Sequence, residues 1–265
     1  MSDNRPQAAQ RERGVHKVRE GTLRAMRRRG KPRFWIWFAA VSPLALAASF
    51  WLSLPSVEAL RRSNPTSTAL IDARFKRTHR RNQHWVHLSR ISPFLRQAVV
   101  NSEDARFFHH HGVDVVETGI AIEEAAAGER VRGASTITQQ LAKNLWLGEE
   151  RSLLRKVREY FLARRLETLG KERILELYLN VAEWGNGIYG ADAASRVWFG
   201  KPASDLRPEE AAVLTAMLPA PRKRNPRRPS EVFRRRAEEI LDLYEVYKQL
   251  SPEDVAQAKQ RLMKG

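Results

Sequence analysis

Between Phe34 and Leu54 the chain reads FWIWFAAVSPLALAASFWLSL, without one charged residue. A helix needs about 20 consecutive apolar residues to cross the hydrocarbon core of a bilayer, and a helix satisfies its own backbone groups there. The run therefore predicts a transmembrane signal-anchor helix over residues 34–54. Pro43 removes one backbone donor near its middle, and Ser42 is placed to satisfy the carbonyl that this frees. Trp35, Trp37 and Trp51 stand near the two ends, where aromatic side chains meet lipid headgroups. A helix buried in a globular core would leave that placement unexplained.

Arg24, Arg27, Arg28, Arg29, Lys31 and Arg33 precede the run with no acid among them, whereas Glu58 accompanies Arg61 and Arg62 after it. The cation excess predicts a cytoplasmic N-terminus and an exported remainder. A cleaved leader fits less well, because the apolar run exceeds a usual leader core and no small-x-small site follows Leu54. Residues 1–33, basic and polar, read as a cytoplasmic tail that feels the anionic inner leaflet. A formal net charge of +17 would elsewhere suggest nucleic acid as partner. No nucleic-acid motif accompanies it, so the membrane is the expected anionic partner. The absence of cysteine rules out a disulfide framework.

Beyond the anchor the 265-residue chain has room for one sizeable core. Residues 55–84 read as a juxtamembrane linker with a turn at Asn64-Pro65-Thr66-Ser67-Thr68, and residues 85–265 as one mostly α-helical domain entered through an extended Trp85-Val86-His87-Leu88. Ser92-Pro93 is a helix start, and Leu95, Ala98 and Val99 advance at helical spacing toward Glu103. A carboxylate on that inward stripe loses solvent, which raises its pKa and suits proton transfer. The competing reading is a helix-end carboxylate paired with Arg106.

Thr136-Ile137-Thr138-Gln139 fits a capping box, which accounts for Thr136 and Gln139 but not for Gln140, Lys143 or Asn144. Leu153, Leu154, Val157 and Phe161 form one expected buried face, with Arg151, Arg155 and Arg158 on a neighbouring face beside Glu159. Such a row is either a solvated basic face or a phosphate clamp. Lys171 to Val181 reads as a helix with Ile174, Tyr178 and Val181 inward. It ends at the glycine-rich Trp184 to Gly190, whose glycines serve packing or line a cleft. Arg222 to Arg228 is a basic, Pro-interrupted loop suited to a membrane surface. His109-His110-His111 lacks the i, i+4 spacing of a helical metal site, and Ser135 lacks a nucleophile elbow, so neither zinc nor serine hydrolysis is expected.

Four ordered motifs carry a resemblance. They are Glu103-Asp104-x-x-Phe107-x-x-His110-x-Gly112, then Gly133-x-Ser135-Thr136-Ile137-x-Gln139-Gln140-x-x-Lys143-Asn144, then Arg155-Lys156-x-x-Glu159, then Lys171-x-x-Ile174-Leu175-x-x-Tyr178-Leu179-Asn180. Together they resemble glycosyltransferase family 51, the peptidoglycan glycosyltransferases, in its monofunctional biosynthetic form, over about Trp85 to Met217. The resemblance implies a lysozyme-like catalytic domain with a small membrane-facing jaw near Val113 to Arg132, in the cell inner membrane with its catalytic domain periplasmic. It implies lipid II and the growing glycan chain as substrates, with undecaprenyl pyrophosphate as leaving group, and other wall-synthesis proteins as possible partners.

By the same resemblance Glu103 is the general base, Asp104 supports it, and Glu159 assists at the pyrophosphate directly or through a divalent cation such as Mg2+. Lys143 and Arg151 are the expected pyrophosphate cations, with Arg155, Lys156 and Arg158 behind them. Ser135, Gln139, Gln140 and Asn144 would line the sugar-phosphate cleft. The family's C-terminal pattern is met only loosely by Arg236-x-x-x-Ile240-Leu241-x-x-Tyr244, where no functional residue is assigned, and His87 stands where proline is expected. A membrane-anchored muramidase or lytic transglycosylase would also use a helix-borne glutamate but needs no cationic pyrophosphate site. A wall-associated scaffold would need neither.

Overall fold

The structure, a computed structural model, describes residues 32–128, 135–148 and 152–264. The chain divides into two compact units, Met1–Leu54 and Pro55–Gly265. In the first, helix α1 (Pro32–Leu52) has 21 residues and carries Pro43 inside it. Its side chains are described from Ser42 onward, and Leu44, Leu46 and Leu52 are exposed. Among the described residues no helix is long and apolar enough to cross a membrane.

The second unit runs from Pro55, so residues 55–84 fold together with the helices that follow. Helix α2 (Ala69–Thr78) is capped by Thr68, whose hydroxyl accepts from the Ile71 N–H at 3.2 Å. It buries Leu70 and Ile71 against Tyr189, and Arg74 pairs with Glu183 at 3.3 Å. The α2 sequence ALIDARFKRT has too few apolar positions to declare a face by itself. Arg173 completes the attachment by donating to the Leu60 carbonyl at 2.8 Å, the Ser63 carbonyl at 2.9 Å and Asn64 Oδ1 at 2.8 Å.

Strand β1 (Asn82–Gln83) runs parallel to β3 (Ile188–Tyr189), which is antiparallel to β2 (Glu183–Gly185), giving the order β1-β3-β2. The glycine-rich stretch thus serves packing, burying Trp184 and Tyr189. Gly187 has φ +76°, and a Cβ there would lie 2.5 Å from Cβ of Arg80. Larger residues are excluded on both counts.

The rest is helical: α3 (Pro93–Glu103), α4 (Val115–Ala126), α5 (Ile137–Ala142), α6 (Leu153–Leu166), α7 (Lys171–Val181), α8 (Ala191–Phe199), α9 (Pro208–Met217), α10 (Glu231–Val246) and α11 (Pro252–Lys264). Proline opens α3 as expected, but the Ser92 hydroxyl donates to the Leu206 carbonyl at 2.8 Å instead of capping. Leu95, Ala98 and Val99 of α3 are buried with Leu214 and Ala216 of α9 and with Ala237, Ile240 and Leu241 of α10, where the three helices meet. On the other side α5, α6 and α7 bury Ile137, Leu141, Leu162, Leu166, Ile174 and Tyr178.

Helix α6 departs from its expected face. Leu153 is 88% exposed and Leu154 56% exposed, Val157 is also exposed and Phe161 half-buried, and burial begins only at Glu159, Leu162 and Ala163. Periodicity identifies residues that share a face; it does not say that protein covers it.

Candidate active site

Glu103 ends α3 half-buried. Its Oε2 accepts from Gln140 Nε2 at 3.0 Å, and Gln140 Oε1 accepts from the Tyr178 hydroxyl at 2.9 Å. Arg106 turns away to Asp114 at 3.5 Å, so the paired helix-end reading of Glu103 does not hold. Burial pushes the Glu103 carboxyl above the usual glutamate range, opposed by the Gln140 hydrogen bond and the charges of Arg236, Arg224 and Lys143. The buried Tyr178 phenol is pushed up as well, by desolvation first and then by Glu103 and Asp104.

Arg224 and Arg236 are functional candidates that the sequence did not single out. Arg236 donates to Ser102 Oγ at 2.8 Å, next to Glu103, and Arg224 reaches the Ala216 carbonyl. Both line a cleft of about 660 Å³ with Pro219, Glu231, Arg235 and Glu239. Arg236 heads the loosely met C-terminal pattern, the one signal that could have pointed to it. In the basic loop expected against a membrane, the exposed Arg227 donates to the Val197 carbonyl at 3.0 Å.

Asp104 is a junction between motifs rather than a neighbour hydrogen-bonded to Glu103. Its carboxylate accepts from His110 Nε2 at 2.9 and 3.0 Å and from the Ile137 N–H at 2.9 Å. Thr136 donates to the Gly112 carbonyl at 2.7 Å, tying the first motif to the second again. Gly112 has φ +88°, and a Cβ there would meet the Ala163 carbonyl oxygen at 2.9 Å, which explains the glycine in the first motif. Thr136 and Gln139 form the expected capping box, so the Gln139 amide oxygen is committed to the Thr136 N–H at 3.1 Å.

A π-helical turn, Lys143–Leu147, follows α5 directly, and such turns insert an extra residue and recur at functional sites. Lys143 lies within electrostatic reach of both Glu103 and Glu159. Desolvation lowers its pKa, Glu159 and Glu103 counter that, and Arg155 and Lys156 add to it. Asn144 is buried in the same turn. Glu159 is 3% exposed and engages two cations, Arg155 Nη1 at 2.8 Å and Lys156 Nζ in a close pair. Lys156 also reaches Ser135 Oγ at 3.3 Å. Arg158 is half-buried, with its Nε lacking a hydrogen-bond partner among the described residues. Arg151 and Gly133 lie outside the described residues.

The structure thus brings Glu103, Gln140, Lys143, Ser135, Arg155, Lys156 and Glu159 together, while Asp104 and Gln139 hydrogen-bond to neighbouring segments. Among the described residues no three His, Cys, Asp or Glu side chains converge. Glu159 has both oxygens on cations, so among the described residues it offers no free oxygen to a Mg2+ ion.

Fold and site together define a helical domain in which a desolvated carboxylate stands within electrostatic reach of Arg236, Arg224 and Lys143. The family described as Transglycosylase matches residues 70–245. Over 160 residues the chain is 51% identical to the biosynthetic peptidoglycan transglycosylase of Rhodospirillum centenum, spanning 60% of this chain and 69% of that one. The enzyme of that name from Thiobacillus denitrificans is 43% identical over 214 residues, 76% of this chain and 92% of its own. The crystal structure of penicillin-binding protein 1A from Haemophilus influenzae matches 68% of this chain and 17% of its own, at 20% identity and a TM-score of 0.41, too loosely to bear on the argument. The chain belongs to the transglycosylase family.

Proposed function

We propose that the chain polymerises lipid II into the glycan strands of peptidoglycan, releasing undecaprenyl pyrophosphate. One observation carries this reading: a partly desolvated carboxylate, Glu103, shares Lys143 with a second, buried carboxylate that is itself ringed by cations. Glu103 takes the proton from the acceptor sugar's 4-hydroxyl, the oxygen attacks the anomeric carbon of the donor, and the bond to the pyrophosphate breaks with inversion. Lys143, Arg151 and Lys156 neutralise the charge that gathers on the departing pyrophosphate, with Arg155 and Arg158 in reserve. Glu159 holds Arg155 and Lys156 in place for that task, and Ser135, Gln140 and Asn144 shape the cleft. A hydrolytic muramidase would have no use for such cations.

The membrane anchor in this reading is the uncharged sequence run over residues 34–54, which the cation excess ahead of it supports. The N-terminus is cytoplasmic and the catalytic domain periplasmic. Val115, Val116 and Ile120 of α4, with Leu153, Leu154 and Val157 of α6, are exposed apolar residues suited to a membrane-facing jaw. The decisive experiment gives the detergent-solubilised full chain purified lipid II. Long glycan is expected from the wild type, and Glu103→Gln should lower the rate at least about 100-fold with little change in melting temperature. Shortening of preformed glycan without polymerisation would reverse the reading.

A further inference from the structure

Tyr178 has no part in the chemistry described so far, yet it is buried with its hydroxyl on the residue that touches the base. Its phenol stays protonated at any working pH, because burial pushes its pKa up. A protonated phenol carries one proton to donate, and here it goes to the Gln140 amide oxygen at 2.9 Å. The Gln140 nitrogen then faces Glu103 Oε2 at 3.0 Å, where an N–H favours a carboxylate and disfavours a carboxylic acid. The flipped amide would set its oxygen against the carboxylate and take from the buried phenol proton the acceptor it now has.

We propose that Tyr178 is a positioning residue that locks the Gln140 side-chain amide with its N–H toward Glu103, keeping that carboxylate in its proton-accepting form. The proposal rests on Glu103 being the base. Other groups face Glu103 too: Lys143 from the π turn, Arg236 from α10 and Arg224 from the loop before it favour the charged form, while Asp104 is the adjacent acid. Gln140 Nε2 also donates to the Ser135 carbonyl at 3.4 Å, a longer contact than the 2.9 Å bond that Tyr178 gives to Oε1.

The test compares Tyr178→Phe, Gln140→Met and the double variant, as full-length protein, by the pH dependence of kcat/KM for lipid II polymerisation. Tyr178→Phe leaves the 3.4 Å contact to the Ser135 carbonyl as the amide's remaining hold besides Glu103, so the amide turns more readily, which removes a donor from the charged carboxylate and raises its pKa. The fraction of proton-accepting Glu103 then falls at any pH on the acidic limb. That limb should move up by about one pH unit, the equivalent of a charge-assisted hydrogen bond near 1.4 kcal/mol, a loss of about tenfold that high pH restores. Gln140→Met should move the limb at least as far, and the double variant no farther than Gln140→Met, because Tyr178 acts through Gln140. A Tyr178→Phe enzyme slowed equally at every pH, or limb shifts that add in the double variant, would overturn the proposal. If Tyr178→Phe does not fold, a Gln140→Met limb at its wild-type position overturns it alone. Glu103→Gln in the same assay separates the failures: retained polymerisation removes the base itself, whereas an inactive Glu103→Gln beside an unmoved Tyr178→Phe limb removes only the lock.

Discussion

Asp104 and Glu159 are both buried carboxylates in the motifs around Glu103, and they serve opposite ends. Asp104 is met by an imidazole and a backbone N–H, so its charge joins α3 to the start of α5 and to the His110 segment. Glu159 is met by Arg155 and Lys156, the latter half exposed and the pair only three and four residues away on its own helix. A carboxylate that takes its partners from distant segments holds the fold. One that gathers cations from its own helix holds them side by side, and in the proposed reaction those cations meet the pyrophosphate.

The comparison predicts that the two sites fail differently. Asp104→Ala leaves the His110 ring and the Ile137 N–H buried without their acceptor, which should destabilise the domain by about 3 kcal/mol and be visible as a lowered melting temperature with activity lost alongside. Unchanged thermal unfolding would take Asp104 out of the frame. Lys143→Ala should lower polymerisation about 100-fold, near 2.7 kcal/mol in the barrier, while stability is held or improved because a desolvated ammonium is gone. A matching fall in stability would make Lys143 structural.

A smaller effect sharpens the frame side of the contrast. Gly112→Ala forces φ +88° on a residue with a Cβ and presses it on the Ala163 carbonyl, so unfolding should be easier by about 2 kcal/mol. The smallest stability change is expected on the exposed end of α6. Leu153→Ser with Leu154→Ser should alter unfolding by about 0.5 kcal/mol or less, yet weaken sedimentation of an anchor-free domain with anionic liposomes. A large loss of stability there would show that protein, not lipid, covers this face.

Much of this was legible in the chain. Local rules determined the helix starts at Pro93 and Thr136, the inward stripe of Lys171–Val181 and the apolar segment that became α1, because caps and periodicity act within a few residues. The motifs named Glu103, Glu159 and Lys143 as a set. Only the tertiary structure decided what each side chain meets. It moved Arg106 off Glu103 and brought in Arg224 and Arg236, more than a hundred positions away in sequence, and it folded residues 55–84 into the domain through Arg173. It also left Leu153 and Leu154 uncovered and aimed the Gln140 amide by way of Tyr178. The physical reason is common to all of these: spacing along a chain fixes which face a residue shares, whereas partners, desolvation and charge depend on what the rest of the molecule places opposite it.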